Sequence, residues 1–129
     1  MKTKVFIFVV CSMVFLYGCS DKVPQVQHSA DTKIFHQIDP DQTMVEQPIL
    51  IQLTLPEQVQ PQLSKVTGVN MYMGAIPLVW QQQTQTRWQA ELLLGACAEP
   101  LMQWRVTVPL LNGEQQLSPY VFEFSTKQH

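Results

Sequence analysis

The 129-residue chain carries 8 Lys and Arg against 10 Asp and Glu, a net charge of −2, with only 14% of its residues charged. No basic cluster occurs, so the electrostatic footprint of a nucleic-acid binder is missing and no nucleic-acid partner is expected. The length holds one domain rather than two.

Lys2 and Lys4 precede an apolar run, Val5 to Leu16, which leads into Leu16-Tyr17-Gly18-Cys19. A basic start, a short apolar core and a small residue before the cut describe a secretory signal over residues 1–18, not a membrane span. Leu16, Gly18 and Cys19 resemble the lipobox of bacterial lipoproteins, in which the Cys becomes the lipidated first residue; Tyr17 stands where that motif has a small residue. The resemblance implies a domain held on a membrane by acyl chains at Cys19. Ser20, at the position where retained Gram-negative lipoproteins carry Asp, implies the periplasmic face of the outer membrane. The alternative is ordinary signal cleavage, with Cys19 incidental. Without residues 1–18 the chain has 111 residues, and six basic against ten acidic residues give it a net charge of −4.

Residues 19–42 are polar, contain Pro24 and Pro40 and hold no period. They read as a lipidated Cys and a flexible tether, reaching roughly 3 Å per residue at most. Within them Lys33 to Ile38 fits a short edge strand, with Ile34, His36 and Ile38 on one side and Phe35 on the other.

From residue 43 to 126 period-two patterns dominate. Ile49, Ile51, Leu53 and Leu55 alternate with Leu50, Gln52 and Thr54 between Pro48 and Pro56. Leu63 to Met73 forms a second, less regular strand that ends at Gly74, and Ile76, Leu78 and Trp80 share a face of a third. Trp88, Ala90, Leu92 and Leu94 make a fourth strand. The surrounding residues 86–97 are also rich in helix formers, and Thr86 with Gln89 fits a capping box; the regular spacing of neighbouring strands favours a strand. Leu101 to Val108 places Met102, Trp104, Val106 and Val108 inward. Asn112-Gly113 is a hairpin signal suited to a type I′ turn, and the last strand sets Tyr120, Phe122 and Phe124 opposite Val121, Glu123 and Ser125. The expectation is an all-β fold, an immunoglobulin-like antiparallel sandwich of six or seven short strands or a small Greek-key barrel, with a polar tail at 127–129. Glutamine is abundant, including Gln81-Gln82-Gln83, but Val and Leu interrupt it throughout, so it reads as a neutral polar surface rather than a low-complexity tract.

The chemistry is bounded first by what is missing. His28, His36 and His129 fall outside residues 44–125, which argues against a Ser-His-Asp or Cys-His nucleophile and against zinc. No glycine-rich phosphate loop occurs, and no pair of carboxylates stands out. An enzyme is not expected. With Cys11 in the signal and Cys19 lipidated, Cys97 is left without a partner for an intramolecular disulfide. Such a thiol is buried and inert, bound to a metal, or used between molecules. Met71 and Met73, two apart on the second strand, would share a face, and Cys97 and Met102 flank the start of a later strand. If the two segments meet, Met71, Met73, Cys97 and Met102 offer thiolate and thioether sulfur, the ligands that select Cu(I). Against this stands the reading of the same residues as core, since methionine fills core gaps and cysteine is among the most buried residue types.

The Met-x-Met-Gly-x-x-Pro segment, Met71 to Pro77, in a secreted β-sandwich resembles the periplasmic domains of the FixH and YtkA type and, more distantly, the CopC-like copper carriers. That resemblance covers Pro48 to Phe124 and rests on Met71, Met73, Gly74 and Pro77. It implies copper handling linked to respiratory oxidase assembly, with a periplasmic or inner-membrane protein as partner. The copper carriers have histidines where this domain has none, so a Cu(I) site is implied rather than a Cu(II) one. The competing expectation is a structural or interaction module of the envelope without a metal.

Overall fold

The structure, a computed structural model, describes residues 33–41 and 43–128. The signal segment 1–18, Cys19 and the tether up to residue 32 lie outside the described residues. The chain forms an all-β sandwich of two packed sheets, and no helix occurs among the described residues.

Ten strand segments occur in the order β1 (Phe35–Asp39), β2 (Thr43–Met44), β3 (Pro48–Thr54), β4 (Val59–Pro61), β5 (Ser64–Gly68), β6 (Ala75–Leu78), β7 (Gln81–Gln82), β8 (Arg87–Leu93), β9 (Leu101–Asn112) and β10 (Gln115–Lys127). One sheet has the order β1-β3-β8-β7. The other runs β2-β10-β9-β5-β6, with β4 also on β9. Six or seven short strands were expected. The surplus is β2, β4 and β7, segments of two or three residues that pair at sheet margins and are too short to show a period. Nor are all strands short: β9 and β10 have 12 and 13 residues.

Alternation explains which side each strand buries. Ile49, Ile51 and Leu53 of β3 are wholly buried, and their register partners Leu92, Ala90 and Trp88 on β8 share that face. Residues 86–97 thus contain a strand: Leu53 and Ile51 opposite supply an apolar surface that only a period of two matches. From the other sheet Met102, Trp104, Val106, Val108 and Leu110 of β9, Val66 of β5 and Phe122 of β10 face them, closing one core. Of the polar side-chain atoms it takes in, Trp88 Nε1 is buried without a hydrogen-bond partner among the described residues, and others are paired. Trp104 Nε1 donates to Thr126 Oγ1 at 2.9 Å, Trp80 Nε1 donates to Ser64 Oγ at 2.8 Å, and Ser64 Oγ donates to the Gln62 carbonyl. Thr43 Oγ1 donates to the Ser125 carbonyl beside the parallel β2–β10 pairing. Outside, Arg105 and Glu123 stand opposite each other and form a 2.7 Å ion pair, exposed and worth less than about 1 kcal/mol.

The β9–β10 hairpin lies where Asn112-Gly113 places it, but the turn is shifted by one residue. Asn112 pairs with Gln115, so Gly113 and Glu114 are the central residues, and only Gly113 has a positive φ, 60°. Glycine first with an ordinary second residue fits a type II′ turn rather than type I′.

The expected edge strand is present as β1, antiparallel to β3 from Phe35↔Thr54 to Asp39↔Leu50. The sandwich therefore includes residues read as tether, and His36 with them. Its ring stacks on Phe122 at 4.1 Å, and Nδ1 lies 2.8 Å from the Tyr120 hydroxyl. An imidazole thus belongs to the domain after all, and it ties the edge of one sheet to β10 of the other. Packing against these rings costs the charged form its water and lowers the His36 pKa from 6.5. The neutral ring shares a hydrogen bond with the Tyr120 hydroxyl at Nδ1, the tautomer setting which of the two donates. Where the folded pKa lies below the unfolded one, the unfolded chain binds more protons. The contribution of His36 is complete above about pH 6.5 and is lost as pH falls through the folded value. Urea midpoints measured from neutral pH down to about pH 5 should fall more steeply for the wild type than for His36→Gln.

Candidate metal centre

The site forms where two connections leave the sandwich. After Gly68 the chain peels away from β9, and the cause is local. Val69 N still donates to the Gln103 carbonyl at 2.8 Å. At Asn70 the side chain replaces the main chain: Nδ2 donates to the Leu101 carbonyl and Oδ1 accepts from Gln103 N, each at 2.9 Å. Sheet-edge groups of β9 are satisfied while the backbone of 69–74 turns free of the ladder.

The expected second strand, Leu63 to Met73, therefore ends at Gly68, and Met71 and Met73 lie in a loop. The two-residue rule for sharing a face does not apply there. Met71 turns inward and packs on the core, whereas Met73 is 36% exposed beside Tyr72 at 89%. The turn depends on Gly68. A Cβ there would stand 2.0 Å from the Met71 carbonyl oxygen and 3.0 Å from Met102 Cε. Gly68→Ala is expected to displace the loop and cost about 1–3 kcal/mol, read as a lower urea midpoint at unchanged m-value.

Cys97 lies in the connection between β8 and β9, half-buried on the core. Gln128 holds the end of that connection, its N donating to the Pro100 carbonyl at 3.3 Å and its Nε2 to the Glu99 carbonyl at 3.2 Å. The two loops meet sulfur to sulfur: the Cys97 thiol donates to Met71 Sδ at 3.0 Å. Met102 lies inside, 1% exposed, in the core cluster with Trp104. Of the four sulfur residues singled out in the sequence, the fold brings Met71 and Cys97 into contact, buries Met102 and leaves Met73 facing outward.

No comparison finds a match. Family models, curated proteins and solved structures alike give none. The chemistry of the site must be read from its own donors. Among the described residues no three His, Cys, Asp or Glu side chains gather to hold a metal. A thiolate beside a thioether is a soft donor pair, suited to Cu(I). Sequence reasoning missed two elements. Asn70 carried a signal, since an Asn just past a strand favours turns. The contact of His36 with Tyr120 spans 84 positions and left no local trace.

Proposed function

We propose that this chain is a non-enzymatic, lipid-anchored envelope protein that binds Cu(I) through Cys97 Sγ and Met71 Sδ and hands it to a periplasmic or inner-membrane partner. The observation that carries the reading is the 3.0 Å approach of the two sulfurs from two separately clamped loops. Two soft ligands that are already adjacent need little reorganisation to take a metal, and both residues are half-buried rather than sealed. The resemblance of Met71 to Pro77 to FixH, YtkA and CopC-like domains points the same way, as does the implied immunoglobulin-like form of the sandwich. Met73 would join only if its loop moved. The test is a titration of the reduced full chain against a chromogenic Cu(I) chelator. Stoichiometric withdrawal of one Cu(I) supports the reading, and withdrawal no greater than by Cys97→Ser refutes it.

A second reading, an envelope interaction module without a metal, is favoured by one observation. Met71 and Cys97 both pack on the hydrophobic core, where methionine and cysteine serve as filler. The same titration separates the two.

Anchoring is tested apart from copper. The mature wild type should partition into the detergent phase and Cys19→Ala into the aqueous phase, since the acyl chains supply the membrane affinity. Aqueous partition of both would refute lipidation.

A further inference from the structure

The outer face of the β1-β3-β8-β7 sheet carries a row that no single strand reveals. Gln37 stands opposite Gln52, Gln52 opposite Gln89, and Gln89 opposite Gln81. Each of the four strands gives one glutamine to the same line. Residues directly opposite share a face, and Ile51, Leu53 and Ala90, which flank Gln52 and Gln89 along their strands, are buried, so the row faces outward. Strands are spaced about 4.8 Å apart, so the carboxamides repeat at that interval over about 14 Å. None of the four amides makes a hydrogen bond or ion pair from its side chain among the described residues.

The flanks narrow the chemistry. Asp39, Leu50 and Glu91 form the neighbouring row on one side, and Phe35, Thr54 and Arg87 the row on the other, so the charges border the glutamine line and do not enter it. Phe35, 49% exposed, offers an aromatic ring at the β1 end, with the Lys33 ammonium 4.9 Å from its centroid, so that a sugar would stack on the other face of the ring or displace Lys33. A shallow hollow of about 180 Å³ opens beside Gln52, Gln89, Gln83 and Arg87.

A carboxamide presents two N–H donors and a carbonyl acceptor with no charge. A row of them suits a ligand whose groups both donate and accept, and it gives an anion no cation along its length. A peptide strand adds to a sheet at its edge, through the backbone, so a row of side chains on a face offers it little. Hydroxyl and acetamido groups fit, and the interval between carboxamides is close to the rise per sugar of an extended β-1,4-linked chain. We propose that this face binds an uncharged, extended β-1,4-linked glycan lying along Gln37, Gln52, Gln89 and Gln81, with a sugar face against Phe35. The site is independent of the sulfur pair and of the copper reading.

The test is an NMR titration of the full chain, ¹⁵N-labelled, with chitohexaose. The side-chain amide resonances of Gln37, Gln52, Gln81 and Gln89 should shift saturably, while those of Gln60 and Gln116 on the other sheet stay in place. Gln52→Ala combined with Gln89→Ala should weaken binding about tenfold or more. Should that variant fail to fold, the wild-type amide shifts decide alone. The absence of shifts at millimolar sugar would overturn the proposal. So would an equal response to maltohexaose, whose α-1,4 linkage coils the chain, or movement of the same four resonances on raising the protein concentration without sugar, which would assign the face to a second copy.

Discussion

Cys97→Ser is expected to abolish stoichiometric Cu(I) binding while leaving the fold intact. Serine keeps nearly the shape of cysteine at a half-buried loop position, so packing changes little. Its hydroxyl is a hard donor, and Met71 would be left as a single thioether, too few soft ligands to compete with a chelator. Met71→Leu keeps the contact with the core and removes only sulfur, and Cu(I) affinity should fall about tenfold or more, at least the loss typical of disturbing a metal site's outer shell. Met73→Leu should change affinity little, because Met73 is turned outward, and Met102→Leu likewise, because its side chain is 1% exposed. This order of effects distinguishes a site built on the Cys97–Met71 contact from general sulfur affinity, in which the three methionine variants would weaken binding alike. Competition titrations of the four variants read it directly.

Trp104→Ala should be the most destabilising single change in the sandwich. Trp104 is fully buried in the first half of β9, paired with Phe124 on one side and Gly68 on the other. Removing a buried Trp side chain costs about 3–5 kcal/mol through lost transfer energy and the cavity left behind. The loss extends to Thr126, 1% exposed, whose Oγ1 accepts the indole N–H. Trp104→Phe isolates that second term: most of the volume stays, the donor goes, and the expected cost is about 1–3 kcal/mol. Against a total of about 5–15 kcal/mol for a domain of this kind, the alanine variant would be marginal at room temperature. Urea unfolding of both variants gives the two numbers, and a negligible cost for Trp104→Phe would mean that the hydrogen bond contributes nothing.

Where side chains obey a period along one strand, the fold is legible in the sequence. Ile49, Ile51, Leu53 and Leu55 alternate visibly and are buried, and Met102, Trp104, Val106 and Val108 repeat the pattern on β9. The strand at Arg87–Leu93 had to be chosen against good helix formers, and the neighbours' spacing chose rightly because its burial partners on β3 are strands too. What escaped was decided between distant segments. β5 stops at Gly68 because Asn70 finds the main chain of β9 some thirty positions away; Asn70 signals a turn, but residues 63–73 taken alone do not show the partner that fixes it. The hairpin was located by Asn112-Gly113, yet the register of β9 on β10 shifted its turn by one residue. In the candidate site the residue types were legible and their convergence was not. The approach of Met71 to Cys97 depends on two loops clamped from β9 and β10, and the outward turn of Met73 depends on the same early strand end.

The coordination itself is the most direct measurement. Cu K-edge X-ray absorption of the full chain loaded with one equivalent of Cu(I) should show a low-coordinate copper whose nearest neighbours are sulfur, with Cys97→Ser failing to retain the metal. A first shell of nitrogen or oxygen, or the same sulfur signal in Cys97→Ser, would contradict the account.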